Sequence, residues 1–204
     1  MGSSNGNEDY LDVNYWNKRY EQEAEFDWCK DYEILKPLIN SNINRNDSIL
    51  MLGCGNSRLS SSMYDDGYHS ITNIDFSSTV IENMSKEFPQ MSWKVMDMLN
   101  LQFPTSTFDI VIEKATLDCL FVNEKSPWET SEPVADAMDQ VLGGVSRILK
   151  PDGKFISITF AQPHFRKKFY SKFWADCKLD TFGTGFHFYF YRMSGANNEM
   201  NTQF

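Results

Sequence analysis

Two glycines followed by a series of acids at recurring intervals are the chemistry-bearing residues of this 204-residue chain. Leu52-Gly53-Cys54-Gly55-Asn56-Ser57 directly follows the apolar run Ser48-Ile49-Leu50-Met51. A helical pattern comes next, then a second apolar run, Ile71-Thr72-Asn73-Ile74, closed by Asp75. Strand, glycine turn, helix, strand and acid is the layout of a nucleotide-binding βαβ unit. Gly53 can take backbone angles that other residues avoid, and Gly55 lets the backbone approach a ligand closely. Asp75 lies about 20 residues past the turn, where such units place a carboxylate for ribose hydroxyls. An ionised carboxylate accepts from two hydroxyls at once.

The same residues also fit a plain strand-to-helix turn, with Asp75 capping the next helix. A dinucleotide fingerprint would carry a third glycine near Arg58 or Leu59. That glycine allows close helix–strand packing beneath a pyrophosphate. Its absence argues against NAD or FAD and for a ligand without phosphates.

The elements that must hold these residues follow from the pattern of apolar positions. Residues 10–40 read as a helical segment, with Tyr15, Trp16, Arg19 and Tyr20 at helical spacings and a second helix from Trp28 to about Ile39. Helices are expected over 57–66, 77–88, 133–149 and 165–174, and strands over 48–51, 71–75, 92–96, 108–112 and 154–160. Pro151-Asp152-Gly153 reads as a turn before the last of these. Residues 177–182 and 186–193, separated by Gly183-Thr184-Gly185, read as a closing hairpin. Alternating strands and helices predict an α/β fold, Rossmann-like, with a mostly parallel seven-stranded sheet, helices on both faces and a C-terminal antiparallel hairpin. Ligands of such sheets bind beyond the carboxyl ends of the strands. Here those ends carry Gly53, Asp75, Asp97 and Glu113-Lys114. The expected organisation is a disordered tail at 1–9 and one domain at 10–194, comprising a helical cap at 10–46 and the Rossmann-like core at 47–194. A loose tail follows at 195–204.

Composition narrows the function. Apolar residues make up 41% and charged residues 23%, a soluble globular balance. No stretch approaches the roughly 20 apolar residues of a membrane span, and residues 1–9 carry no apolar run of a secretory signal. Cys29, Cys54, Cys119 and Cys177 are far apart, and His69, His164 and His187 do not cluster with them. A metal site is therefore not expected, and free thiols point to a cytoplasmic protein. The net charge of −9 opposes nucleic-acid binding and suits a basic protein partner.

From about Tyr15 to Met193 the chain resembles the class I S-adenosylmethionine-dependent methyltransferases. The generic features are the glycine turn, Asp75, Asp97, Phe108-Asp109-Ile110-Val111 and Leu149-Lys150-Pro151-Asp152-Gly153-Lys154-Phe155. More specific are Tyr15-Trp16-Asn17-Lys18-Arg19-Tyr20, Glu113-Lys114-Ala115-Thr116-Leu117-Asp118 and Gly183-Thr184-Gly185-Phe186-His187-Phe188. These, with the glycine turn, resemble the group that methylates lysine on translation elongation factor 1-alpha. Met51 stands where many class I enzymes have an acid, and Ala115 where the group more often has glycine.

The resemblance implies S-adenosyl-L-methionine as cofactor and elongation factor 1-alpha as protein substrate. It implies cofactor contacts from Gly53 and Gly55, from Asp75 to the ribose with Phe76 beside the adenine, from Asp97 and Met98 to the adenine, and from Lys114 at the methionine end. Trp16, Tyr20 and Trp28 resemble the group's N-terminal cofactor contacts. Glu113, Asp118 and His187 are candidates for the acceptor site, with Tyr189 beside His187. Ser126-Pro127-Trp128-Glu129 is read as a border of the substrate entrance, and His164-Phe165-Arg166-Lys167-Lys168 as a solvated basic helix face. Methyl transfer needs no enzyme nucleophile, and none is evident. The alternatives are a methyltransferase of the same fold acting on a small metabolite, and a cofactor-binding module with little activity.

Overall fold

The computed structural model describes residues 7–126 and 128–197. Seven strands form one sheet in the order β3-β2-β1-β4-β5-β7-β6. They are β1 (Ile49–Leu52), β2 (Ile71–Asp75), β3 (Ser92–Val95), β4 (Phe108–Lys114), β5 (Leu149–Thr159), β6 (Trp174–Phe182) and β7 (Phe188–Ala196). The first five run parallel to one another, while β7 pairs antiparallel with both β5 and β6. All four residues of β1 are buried, which explains its unbroken apolar sequence.

The helices are α1 (Val13–Tyr20), α2 (Tyr32–Asn40), α3 (Leu59–Asp65), α4 (Ser78–Glu87), α5 (Glu132–Ile148) and α6 (Pro163–Phe173). Their starts follow from local chemistry. Asp12, Asp31 and Ser77 cap α1, α2 and α4 by accepting from Asn14, Ile34 and Val80 backbone N–H groups. One sheet face packs on Met138, Val141, Leu142 and Val145 of α5 and on Phe169 and Tyr170 of α6. The other packs on Leu35 and Ile39 of α2 and on Leu59 and Met63 of α3. A third cluster joins Trp16 and Tyr20 of α1 to Val80, Ile81 and Met84 of α4.

Several boundaries differ from the sequence reading. Pro151-Asp152-Gly153 lies inside β5 and not in a separate turn. Pairing jumps from Phe108↔Leu149 to Ile110↔Lys154, so these residues form a bulge in a continuous strand. A Cβ on Gly153 would meet Lys150 O at 2.9 Å and Asp109 O at 3.0 Å, hence glycine. Trp174 opens β6 and does not end α6, because its ring packs on Phe155 of β5. Strand β7 runs on through Gly195 and Ala196, which pair opposite β6. The second helix starts at Tyr32 and not Trp28; Cys29 and Lys30 have φ of 56° and 85°, which no helix accommodates. Two 3-10 helices, Asn7–Leu11 and Leu117–Phe121, had no periodic signal. Of the expected disordered tail at 1–9, residues 7–9 belong to the 3-10 helix Asn7–Leu11, while 1–6 and 198–204 lie outside the described residues.

Candidate active site

The sheet order reverses between β1 and β4, which places a crevice above their carboxyl ends. A cavity of about 770 Å³ opens there. The β1–α3 turn forms its floor. Gly53 and Gly55 have φ of +65° and +51°, a region where a side chain is strained. A Cβ on Gly53 would collide with the Thr116 side chain, whose Oγ1 donates to Leu52 O or Gly53 O, each 3.0 Å away.

Asp75 ends β2 beside this turn. One carboxylate oxygen accepts from Gly55 N at 3.0 Å and the other from Ser77 N at 2.9 Å. Burial pushes the carboxyl up to about 6, against the opposing pull of the Ser77, Gly55 and Phe76 amides. The chain thus fixes this carboxylate in place and leaves acceptor capacity at the cavity wall. Phe76 lies beside it on the same wall. Asp97 and Met98, after β3, border the cavity farther along. Asp97 also accepts from Leu99 N at 2.9 Å, so its carboxylate is oriented by its own loop.

The N-terminal segment closes the crevice. Trp16, Tyr20 and Trp28 all border the cavity, joined there by Tyr10 and Phe26. Trp16 stacks on Tyr20 with ring centres 5.5 Å apart, and its Nε1 donates to Tyr10 O at 2.8 Å. The guanidinium of Arg19 lies 5.2–5.6 Å from the rings of Phe26, Trp16 and Trp28, a cation–π arrangement that ties the aromatics together. These aromatics therefore serve as both core and cavity wall.

Lys114 borders the cavity, but its ammonium is engaged elsewhere. It donates to Asp27 Oδ1 at 2.7 Å and to Trp28 O at 2.8 Å. Asp27 also accepts from Ser57 Oγ. Lys114 thus anchors the N-terminal segment to β4 and the glycine turn.

The three acceptor-site candidates separate. Asp118 borders the cavity, paired with Arg166 at 2.7 Å. Glu113 does not border it: the carboxylate points into the protein, accepting from Ser157 Oγ, Thr116 N and Leu117 N. Burial, reinforced by the Asp118 charge, raises its pKa. It caps the 3-10 helix Leu117–Phe121 from below. His187 is exposed in the β6–β7 connection, and Tyr189 lies partly buried in β7 against the core; neither is in the cavity lining.

Arg166, Asp27 and Tyr10 are not among the site residues expected from the sequence. The run at 164–168 looked like a solvated face, yet Arg166 is 2% exposed and points inward. Trp128 is 72% exposed and stacks on His164 at 4.9 Å. Pro127, in the same expected entrance segment, lies outside the described residues.

The lining chemistry matches a phosphate-free, cationic ligand. Among the described lining residues the cations are Lys114 and Arg166, each already paired with a carboxylate. A pyrophosphate would find no free charge partner, whereas a sulfonium meets aromatic faces and carboxylates. No group of His, Cys, Asp or Glu among the described residues could hold a metal ion. No described helix is long and apolar enough to cross a membrane.

Residues 50–157 match the family model described as "Methyltransferase domain". The chain belongs to the class I S-adenosylmethionine-dependent methyltransferases, in the group of the elongation factor 1-alpha lysine methyltransferases. It is 40% identical over 192 residues to "EEF1A lysine methyltransferase 4" of Bos taurus, covering 90% of this chain and 75% of that one. It is 36% identical over 162 residues to "eEF1A lysine and N-terminal methyltransferase" of Homo sapiens, covering 76% of this chain and 22% of that one. Among solved structures, the 1,6-didemethyltoxoflavin-N1-methyltransferase of Burkholderia thailandensis superposes with a TM-score of 0.64 at 13% identity. That match covers 97% of this chain and 93% of the other, and it supports the fold.

Proposed function

We propose that this chain is an S-adenosylmethionine-dependent protein-lysine N-methyltransferase acting on translation elongation factor 1-alpha. The observation that carries the reading is its 40% identity to the Bos taurus relative, extending over 90% of this chain. That span takes in the glycine turn, the Asp75 wall and the cavity's outer rim together.

The cofactor supplies an activated methyl group on a sulfonium. The chain's own residues do the rest. Asp75 holds the ribose hydroxyls, Asp97 and Met98 meet the adenine, and the glycine turn lets the backbone pass close beneath. Trp16, Tyr20 and Trp28 shield the site from water. The chain provides no attacking group, so its contribution is alignment and desolvation. A lysine acceptor must first lose its proton, which costs roughly 4.6 kcal/mol at pH 7 from a reference value near 10.4. Apolar walls and the sulfonium both favour the neutral amine.

The net charge of −9 favours encounter with a basic protein surface and disfavours nucleic acid. The four cysteines are free thiols, which fits action in the cytoplasm.

Peptide mass analysis of elongation factor 1-alpha after incubation with the chain and the cofactor tests the reading. A mass increment of one or more methyl groups on a lysine supports it. Methyl transfer found only on a small metabolite, or tight cofactor binding with no transfer to any extract component, replaces it with the corresponding alternative.

A further inference from the structure

The cavity lining is not limited to the glycine turn, Asp75, Asp97 and the N-terminal aromatics. It continues toward the 3-10 helix Leu117–Phe121 and the first turn of α6, where Phe121, Phe160 and Phe165 form an apolar wall. The charged groups lining this lobe are Asp118, Arg166 and Glu124; Glu124 turns to its own loop, accepting from Ser131 N and Oγ, while Asp118 and Arg166 face each other. Their side chains are 7% and 2% exposed. Arg166 Nη2 donates to Asp118 Oδ1 at 2.7 Å, and Thr159 Oγ1 lies 2.7 Å from both carboxylate oxygens. Phe121 packs on the guanidinium, 4.1 Å from its central carbon to the ring centre.

Arg166 is expensive to keep there. Its buried Nε has no hydrogen-bond partner among the described residues, although buried donors nearly always have one. A well-packed apolar side chain would often stabilise such a site better than a buried ion pair. The pair therefore calls for a role other than stability.

The surroundings define that role. Glu113 reaches toward Asp118 from β4, Cys119 sits beside it, Tyr170 comes from α6, Tyr191 from β7 and Cys29 from the N-terminal segment. Burial holds both thiols and both phenols in their neutral forms. Lys114, at the end of β4, is committed to Asp27. Arg166 is thus the cation that offsets Asp118.

We propose that this lobe is the acceptor channel and that Arg166 is a positioning residue for the reaction, cancelling the Asp118 charge so that the acceptor lysine enters as a neutral amine. The inference rests on the protein-lysine reading above. An unpaired carboxylate in the channel would stabilise the ammonium and oppose loss of its proton. A paired one retains its hydrogen-bonding shape without the field. The proton passes to bulk water at the mouth as the side chain leaves solvent. The amine's lone pair then forms the new bond to the methyl carbon as the bond to sulfur breaks.

The test is the pH dependence of kcat with the protein substrate, because kcat reports groups titrating in the bound complex. Arg166→Gln leaves Asp118 unpaired, and the acid limb should move up by about one pH unit or more. Asp118→Asn leaves Arg166 unpaired, and the limb should move down. The double variant should return close to the parent profile, and Arg166→Lys should stay near it. Limbs that do not move, or that move in the same direction in both single variants, overturn the proposal. If Arg166→Gln fails to fold, the downward shift of Asp118→Asn against an unmoved Arg166→Lys decides. Product analysis of the parent enzyme is read separately: methyl groups found elsewhere than on lysine remove the lysine reading, whatever the pH profiles show.

Discussion

Lys114 and Asp27 lie 87 positions apart in the chain, yet their side chains meet at 2.7 Å in a largely buried ion pair. The lysine ends β4, and the aspartate sits in the segment that carries Phe26 and Trp28 over the cofactor crevice. Removing one partner of a buried pair typically costs about 3–5 kcal/mol. Asp27→Ala should therefore lower the melting temperature and weaken S-adenosylhomocysteine binding at least tenfold, as read by calorimetric titration. Affinity within twofold of the parent would show that the segment holds its place without this latch.

Asp75 gives the site a predictable response to pH. Its carboxyl is pushed up to about 6 in the folded chain, above the unfolded value near 3.9. Between those values the folded chain holds a proton that the unfolded chain releases. This group therefore favours folding at the acid end, and that contribution is lost as pH rises through about 6. Cofactor affinity runs the opposite way, since the ionised form is the better acceptor for ribose hydroxyls. Binding of S-adenosylhomocysteine should weaken below pH 6 by up to about tenfold per unit. In Asp75→Asn, affinity should be low at every pH and this slope should vanish.

Glu113 should matter to stability and not to substrate recognition. It accepts from two backbone amides and Ser157 Oγ, whose own oxygen accepts from Tyr170 Oη at 2.8 Å. Leaving those buried donors without a partner costs about 1–3 kcal/mol each. Glu113→Ala should unfold at markedly lower denaturant concentration, while the KM for protein substrate in the folded fraction stays within about twofold.

Trp128 predicts the reverse. It is 72% exposed and rests on His164 and Phe165 at the outer rim. Exposed aromatics of this kind anchor protein partners. Trp128→Ala should raise the KM for the protein substrate several-fold, leaving cofactor affinity and melting temperature nearly unchanged. An unaltered KM would place substrate docking elsewhere.

What could be read from the sequence was whatever short-range spacing fixes. Gly53, Gly55 and Asp75 lie within one βαβ unit, and their separation follows from the lengths of one turn, one helix and one strand. Asp97 was legible for the same reason, because it lies just after the next strand. Arg166 was not. Its partner Asp118 lies 48 positions away, and a charged residue in a basic helical run carries no local sign of burial. Asp27 escaped for the same reason, and Glu113 misled because the end of a strand projects toward the ligand or into the core depending on one residue of register. Pro151 and Gly153 carry ordinary turn signals, but the sheet absorbed them as a bulge between β4 and β5.

Strand β7 occupies an interior slot, between β5 and β6, although it is the last of the described strands in chain order. Among the described residues β6 pairs with β7 alone, so it lacks that partner while the segment 188–196 is still in the ribosome. Until then the nascent protein carries an open edge along β5, the kind of surface on which neighbouring chains stick together. Closure of the sheet waits for the segment 188–196, and shortening the chain before Phe188 should turn a foldable protein into one that depends on chaperones for its solubility.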